Sequence, residues 1–152
     1  MIGRQVLKIM NALYQQKKLY ILYTNFLNFN KNGGDNPVRV GTSTEYPYEV
    51  KSANSYRFYK STGYHHLRTM MTDIFLLTNI TSYKDKNGEI YWTICDNAYF
   101  FPAMEMACGK VSYLPELKYW YTASTGMNDV FTDRKKEYDE VFQHIRHSQK
   151  PY

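Results

Sequence analysis

Asp96 is the residue whose position in the sequence is best suited to chemistry. It opens an apolar stretch that runs to Ala107 and that we interpret as a helix. A carboxylate at the start of a helix can cap it, because it accepts hydrogen bonds from backbone N–H groups that have no partner within the helix. It can also stand at the mouth of a pocket and act as a general base. Sequence periodicity leaves both roles open.

A second group of candidate residues lies upstream, where His65 and His66 precede Arg68. Adjacent residues of a helix point about 100° apart, so these two histidines would not chelate one metal ion together. His144 and His147 are spaced to share one helical face and could bind a metal, although a solvated histidine pair near a chain end is the more common arrangement. Neither G-x-S-x-G nor H-E-x-x-H occurs, so serine-hydrolase and zinc-peptidase chemistry have no support in the sequence.

The elements that must position these residues alternate between helices and buried strands. Apolar residues at one-face spacing in residues 3–17 predict an amphipathic helix, and residues 19–29 predict a buried strand. The same patterns predict helices at residues 67–77, 96–107 and 133–147, and strands at residues 111–114 and 117–121. Helices that lead into buried strands are typical of folds in which helices cover a sheet. We therefore predict an α/β fold with a mixed sheet flanked by about four helices.

Proline and glycine mark the breaks between these elements. Pro102 falls inside the third predicted helix, where a missing backbone hydrogen bond predicts a kink or a late helix start. Gly109 is placed to end that helix in the left-handed conformation. Pro115 and Glu116 separate the last two predicted strands, and residues 84–89 predict a polar turn.

Composition narrows the class of protein. The 152 residues predict a single domain, and a hydrophobic content of 43% with 17% aromatic residues excludes a disordered chain. A net charge of +5 favours anionic ligands without identifying one. Two cysteines, Cys95 and Cys108, are too few for a disulfide framework, so we expect a reducing, cytoplasmic location. We expect neither a signal peptide nor a membrane span, since the required apolar runs are not found.

Three stretches of the sequence occur in an order typical of one enzyme family. The first contains Tyr56-Arg57 and His65-His66-Leu67-Arg68-Thr69-Met70. The second contains Lys84-Asp85-x-Asn87-Gly88-Glu89, Asp96-x-Ala98 and Pro102-x-Met104-Glu105-Met106-Ala107. The third contains Val111-x-Tyr113-Leu114-Pro115-Glu116-Leu117-x-Tyr119-x-Tyr121 and Thr125-Gly126-x-Asn128-Asp129. Together, over residues 6–129, these motifs resemble the C-terminal, acceptor-side half of inverting family 2 glycosyltransferases with the GT-A fold.

This resemblance implies roles for individual residues. Asp96 matches the catalytic base that deprotonates an acceptor hydroxyl, and His65, His66 and Arg68 would lie beside the acceptor. Arg68 could alternatively pair with a structural carboxylate. Asn128 and Asp129 would belong to a loop near the donor phosphates. The family also implies a nucleotide-sugar donor and a divalent cation, Mn²⁺ or Mg²⁺.

The sequence departs from the family in ways that affect activity. It contains no D-x-D motif, and the nucleotide-binding half that carries this motif is not found in these 152 residues. A metal that offsets the leaving-group charge is a principal source of transition-state stabilisation, so we expect the isolated chain to be inactive. Thr122 replaces the asparagine of the family, and Cys95 stands where many members carry an acidic residue.

Two further hypotheses follow from these departures. The chain could be a non-catalytic interaction or structural subunit derived from a glycosyltransferase half, and we expect it to bind another polypeptide or to self-associate through apolar surface left uncovered. Nucleic-acid binding by the basic, tyrosine-rich surface is the weaker hypothesis, because most aromatic residues fall within predicted strands and helices.

Overall fold

The computed structural model describes residues 5–29, 39–40, 43–60, 63–122, 135–147 and 149–152. It confirms the α/β class, with a mixed sheet and, in the described residues, five α-helices. The elements in chain order are α1 (Val6–Lys17), β1 (Ile21–Phe29), β2 (Arg39–Val40), α2 (Tyr48–Ser52), β3 (Arg68–Met70), α3 (Thr72–Leu77), α4 (Cys95–Met106), β4 (Val111–Thr122) and α5 (Lys135–His147). Short 3-10 helices occupy Tyr56–Phe58 and Ile80–Tyr83.

Strand β1 is the centre of the sheet. It pairs in parallel with β4 along its whole length, from Ile21 opposite Val111 to Phe29 opposite Thr122. β3 pairs antiparallel with the first part of β1, and β2 pairs antiparallel with the last part. Because β4 occupies one edge of β1 throughout, β2 and β3 share the other edge. The start of β1 is enclosed between neighbours on both edges, in agreement with the buried strand predicted from its composition.

Strand β4 is continuous where the sequence predicts two strands. Its pairing with β1 passes directly from Leu114 opposite Thr24 to Lys118 opposite Asn25, so three residues are left out of the register. Pro115 is one of them. Proline has no N–H to donate to a strand ladder, and an irregularity in the ladder accommodates it. The predicted break is therefore a bulge inside one strand.

The predicted helix at residues 67–77 is wrong in its first half. Arg68–Met70 form β3, and α3 occupies Thr72–Leu77. The backbone of this segment is bound to β1, since Met71 N donates to Tyr20 O (2.9 Å) and Thr24 N donates to Leu67 O (2.9 Å). The backbone N–H and C=O groups of this segment thus bond to an edge of β1, although the spacing of the apolar residues predicts bonds within a helix.

Helix α4 contributes several buried residues to the main hydrophobic cluster. Phe100, Phe101, Ala103 and Met104 are buried. Pro102 lies inside the helix, which begins at Cys95, so a late helix start is excluded. Gly109 follows with a φ of 80°, which confirms the left-handed position predicted for it.

Three further predicted elements, two helices and one turn, are confirmed where the structure describes the chain. α1 matches the predicted first helix, with Met10 buried in a small cluster with Leu19 and Leu22. α5 matches the last predicted helix from residue 135 onward; residues 133–134 lie outside the described part. Residues 84–89 form the predicted turn, in which Asp85 N donates to Glu89 O at 2.7 Å. None of the helices in the described residues is long and apolar enough to cross a membrane.

Candidate functional site

Asp96 lies in the first turn of α4, directly after Cys95. Its Oδ1 accepts a hydrogen bond from the backbone N–H of the next residue, Asn97 (2.9 Å). This is not a capping contact, because the N-cap position is Ile94 and no side chain caps the helix. Its Oδ2 accepts a hydrogen bond from the Arg68 guanidinium. The Asp96 side chain is still 39% exposed. The carboxylate therefore places a negative charge in the first turn of α4, where the helix dipole favours it, and remains accessible from outside.

Arg68 reaches Asp96 from strand β3. Its side chain is 10% exposed, and the guanidinium carbon lies 5.3 Å from the ring centroids of both Tyr64 and Phe100. These distances fit cation–π contacts. Burial disfavours the Arg68 cation, but the Asp96 carboxylate, together with Tyr64 and Tyr99, outweighs this effect and raises the pKa of the guanidinium. The carboxylate that Arg68 pairs with is therefore the predicted base itself.

His65 and His66 immediately precede β3 and are partly buried. Burial, together with the positive charge of Arg68, lowers the pKa of His65 to about 4. The same two causes lower the pKa of His66. We therefore expect His65 to be neutral at pH 7, with the charged form of His66 disfavoured as well. A neutral imidazole offers one hydrogen-bond donor and one acceptor.

Three aromatic side chains of the sheet surround the two histidines. Phe26 of β1 lies 5.2 Å from the His65 ring, measured between centroids. The His66 ring stacks on Tyr121 of β4 at 5.2 Å with an interplanar angle of 17°, and lies 5.7 Å from Tyr119. Alternation along a strand places residues 119 and 121 on the same face. We call Phe26, His65, His66, Tyr119 and Tyr121 the aromatic cluster.

The structure thus brings together four of the six predicted site residues. His65, His66 and Arg68 come from one segment, and Asp96 comes from the start of α4. The other two, Asn128 and Asp129, lie outside the described residues. The nearby aromatic side chains were not predicted as site residues. The i, i+2 spacing of Tyr119 and Tyr121 is a signal that could have identified them, whereas Phe26 is marked only by the sheet pairing.

A buried contact holds the start of α4 in place beside the site. The Tyr64 hydroxyl donates to Asn97 Oδ1, and both side chains are buried. Arg68 lies over both rings of the Tyr64–Phe100 pair, whose centroids are 4.9 Å apart. Sequence patterns gave no indication of the Tyr64–Asn97 contact. It positions Asp96 without touching it.

The divalent cation that the resemblance implies has no fitting ligand set here. Mn²⁺ and Mg²⁺ prefer several oxygen ligands with carboxylates among them. Within the described ranges, no three His, Cys, Asp or Glu side chains stand close enough to hold a metal ion. The Asp96 charge is already taken up by Arg68. His144 and His147 lie on α5, apart from any such group in the described chain.

Comparisons of the chain with protein-family models, with curated proteins and with solved structures give no match.

Proposed function

We propose that this chain is the acceptor-binding part of a glycosyltransferase of the inverting family 2 type, with Asp96 as the general base. The observation that supports the proposal most directly is the position of Asp96. It is a partly exposed carboxylate that pairs with Arg68 and lies close enough to His65 and His66 for its charge to raise the pKa of both, against the lowering by burial. The two histidine rings in turn contact the aromatic side chains of the sheet. The residues that the family motifs assign to the acceptor therefore lie together, although they come from separate parts of the chain.

The charge of the site favours a neutral, hydroxyl-rich ligand. The Arg68 cation is compensated by Asp96, and burial disfavours the charged forms of His65 and His66. Neutral imidazoles can both donate to and accept from sugar hydroxyl groups, and aromatic faces provide apolar surface for the C–H groups of a sugar ring. A nucleic acid needs uncompensated cations for its phosphates, which makes it the less suitable ligand for this site.

Asp96 retains capacity for a further hydrogen bond. Each carboxylate oxygen has two lone pairs, and Asn97 and Arg68 use one on each oxygen. In the proposed reaction the Asp96 carboxylate takes the proton of an acceptor hydroxyl group. At the same time, the oxygen of that hydroxyl group bonds to the anomeric carbon of the donor. The bond from that carbon to the nucleoside diphosphate breaks on the opposite face, so the configuration inverts.

Donor binding is assigned to residues other than those of this site. The proposal includes a nucleotide-sugar donor and Mn²⁺ or Mg²⁺ in a complete enzyme, with Asn128 and Asp129 near the donor phosphates. The sequence contains no D-x-D motif to hold that metal. We therefore propose that the 152-residue chain binds an acceptor but does not transfer sugar alone.

A second candidate is a non-catalytic subunit derived from a glycosyltransferase half. The observation that favours it is the engagement of both Asp96 oxygens by protein donors. An ion pair of this kind can hold β3 against α4 in a purely structural role. The two candidates differ in one respect that can be measured, which is whether the aromatic cluster binds sugars.

Nuclear magnetic resonance titration of the full ¹⁵N-labelled chain tests the proposal. We expect millimolar concentrations of common mono- and disaccharides to shift the backbone amides of residues 65–68 and 96–97. His66→Ala should weaken the shifts at least severalfold, because it removes the ring that stacks on Tyr121. His147→Ala, at an exposed position on α5, is the matched control. If no saccharide shifts these amides, the non-catalytic candidate is preferred.

A further inference from the structure

The surface around α3 exposes large apolar side chains. Six of them are between 40% and 72% exposed. We call them the α3 face: Met71, Phe75, Leu76, Leu77, Ile80 and Ile90. Surface helices normally place polar residues outward, so a leucine that is 72% exposed at position 76 requires an explanation.

The backbone places these residues next to one another. Met71 precedes α3, residues 75–77 are its last turn, and Ile80 opens the 3-10 helix that follows. Ile90 returns beside this segment, because it forms a β-bridge with Lys84 and because Tyr91 N donates to Tyr83 O at 2.9 Å. The α3 face is therefore built from a single stretch of chain and its returning partner.

Helix α3 is already anchored to the core by another side. Ile74 is 6% exposed and belongs to the main hydrophobic cluster. The Phe75 ring also touches Tyr99 of α4 edge-on, with centroids 6.2 Å apart. Apart from Phe75, the residues of the α3 face are thus not needed to hold α3 on the domain.

The size of the α3 face is close to what one side of a dimer interface requires. If each large residue is given about 200 Å², the middle of the range for aromatic side chains, six residues exposed to this degree present roughly 700 Å² of surface. That exceeds the apolar patches of about 300–600 Å² found on monomers. A standard interface buries about 800 Å² on each partner.

We propose that the α3 face binds the α3 face of a second copy of this chain, forming a two-fold dimer. Residues 71–83 carry a single charged side chain, that of Asp73, although the whole chain has a net charge of +5. Two copies can therefore meet here without burying many unpaired charges. The same patch on both partners is the arrangement that two-fold symmetry requires.

A lipid surface is the less suitable occupant of this face. Segments that lie on membranes combine apolar residues with several Lys or Arg side chains. Residues 71–83 contain neither Lys nor Arg, and the turn that follows contains Asp85 and Glu89 beside Lys84 and Lys86. The charge pattern thus favours the α3 face of a second copy over a lipid surface.

Sedimentation velocity on the full chain, from about 1 to 200 µM, tests this inference. We expect the mass to rise with concentration from 18.1 kDa toward twice that value. Leu76→Glu should weaken association at least tenfold, because it places a charge at the centre of the interface. Leu7→Glu is the matched control, since Leu7 is a leucine of α1 that is 68% exposed and lies outside the α3 face.

Three results would overturn the dimer. They are a constant monomer mass up to 200 µM, equal effects of Leu76→Glu and Leu7→Glu, and binding to phosphatidylcholine–phosphatidylserine vesicles by a chain that stays monomeric. Circular dichroism melting shows whether each variant folds, and Leu77→Lys replaces Leu76→Glu if that variant does not. The inference is independent of the sugar site, so the saccharide-induced shifts should be the same in Leu76→Glu and in the unmodified chain.

Discussion

Helix α4 carries an arginine–carboxylate pair near each end, and the two pairs differ in burial. Toward the end of the helix, Glu105 Oε1 and Oε2 accept hydrogen bonds from Arg57 Nε (2.5 Å) and Nη2 (2.6 Å), and both side chains are 0% exposed. At the start of the helix, Arg68 is 10% exposed and Asp96 is 39% exposed. The same type of ion pair is thus buried near the end of α4 and partly exposed at its start.

The enclosed pair is also more completely bonded. Arg57 Nη1 donates to Ile145 O and Gln149 O, each at 3.2 Å, and Glu105 Oε2 additionally accepts from Tyr152 N at 3.1 Å. This network joins the 3-10 helix at residues 56–58, α4, α5 and the last described residues. Because a buried charge is tolerated only when it is paired and hydrogen-bonded, the Arg57–Glu105 pair is structural. The open pair keeps capacity for a ligand.

The largest effect that this comparison predicts is on the enclosed pair. Glu105→Gln leaves the Arg57 charge buried without its counterion, and breaking a buried pair in this way costs about 3–5 kcal/mol. Urea denaturation followed by circular dichroism measures the loss. Glu49→Gln, at an exposed position of α2, is the control and should change the stability little. A loss below about 1 kcal/mol for Glu105→Gln would mean that the two pairs do not differ as proposed.

The open site should make folding sensitive to mild acid. The folded pKa of His65 is about 4, lowered from 6.5 by burial and by Arg68 and His66, with Asp96 opposing the shift. The unfolded chain therefore binds the proton more readily, and stability falls as the pH falls from about 6.5 to 4. At 1.36 kcal/mol per pKa unit, this is at most about 3 kcal/mol, and partial solvent access reduces it.

Denaturation midpoints measured across this pH range test the assignment. His65→Gln should flatten the decline between pH 6.5 and 4, whereas His147→Gln should retain it, since His147 is exposed at the end of α5. Equal pH profiles in the two variants would remove His65 as the source of the acid sensitivity.

Asp96→Asn should affect binding more than folding. The amide keeps the shape of the side chain, but it leaves the Arg68 guanidinium, which is 10% exposed, without its counterion. Because the Asp96 position is partly open to water, we expect a loss of about 1–3 kcal/mol, smaller than that of Glu105→Gln. Saccharide binding should weaken, because the amide oxygen is a weaker hydrogen-bond acceptor than a carboxylate oxygen and the amide presents an N–H group on one side. Comparing this variant with Glu105→Gln in the same urea titration measures how far the two ends of α4 differ. Equal losses would remove the distinction.

The smallest expected effect is at a fully solvated pair on α5. Lys135 Nζ lies 2.7 Å from Asp139 Oδ2, and the two side chains are 60% and 55% exposed. Exposed pairs at this spacing contribute about 0.3–0.5 kcal/mol. Asp139→Asn should therefore shift the urea midpoint only slightly. This loss of stability is the smallest that we expect among the ion pairs compared. A loss as large as that of Asp96→Asn would show that exposure does not rank these pairs.

Much of the fold was predictable because several elements have strong local patterns. α1, α4 and α5 each repeat apolar residues at helical spacing or present a long apolar run, and β1 is rich in residues that favour strands. β3 was not predictable, since residues 68–70 become a strand only by pairing with an edge of β1. The continuity of β4 likewise depends on its parallel pairing with β1 across the bulge.

The candidate site was predictable as a set of residues but not as an arrangement. Motif spacing pointed to Asp96, His65, His66 and Arg68, while it left open whether Arg68 pairs with another carboxylate. The structure shows that Arg68 pairs with Asp96. The lowered pKa of His65 and the stacking of His66 on Tyr121 were not predictable, since both depend on how the segment packs in the fold.

The sequence by itself determined the α/β class, most of the helices, and which polar residues could do chemistry, because these follow from composition and periodicity along the chain. Only the tertiary structure decided which of two arginine–carboxylate pairs is sealed and which is open. Burial and hydrogen-bond saturation are properties of packing between distant segments. Arg57 is enclosed because α5 and the last described residues close over it, whereas Asp96 stays accessible because the start of α4 lies at the surface.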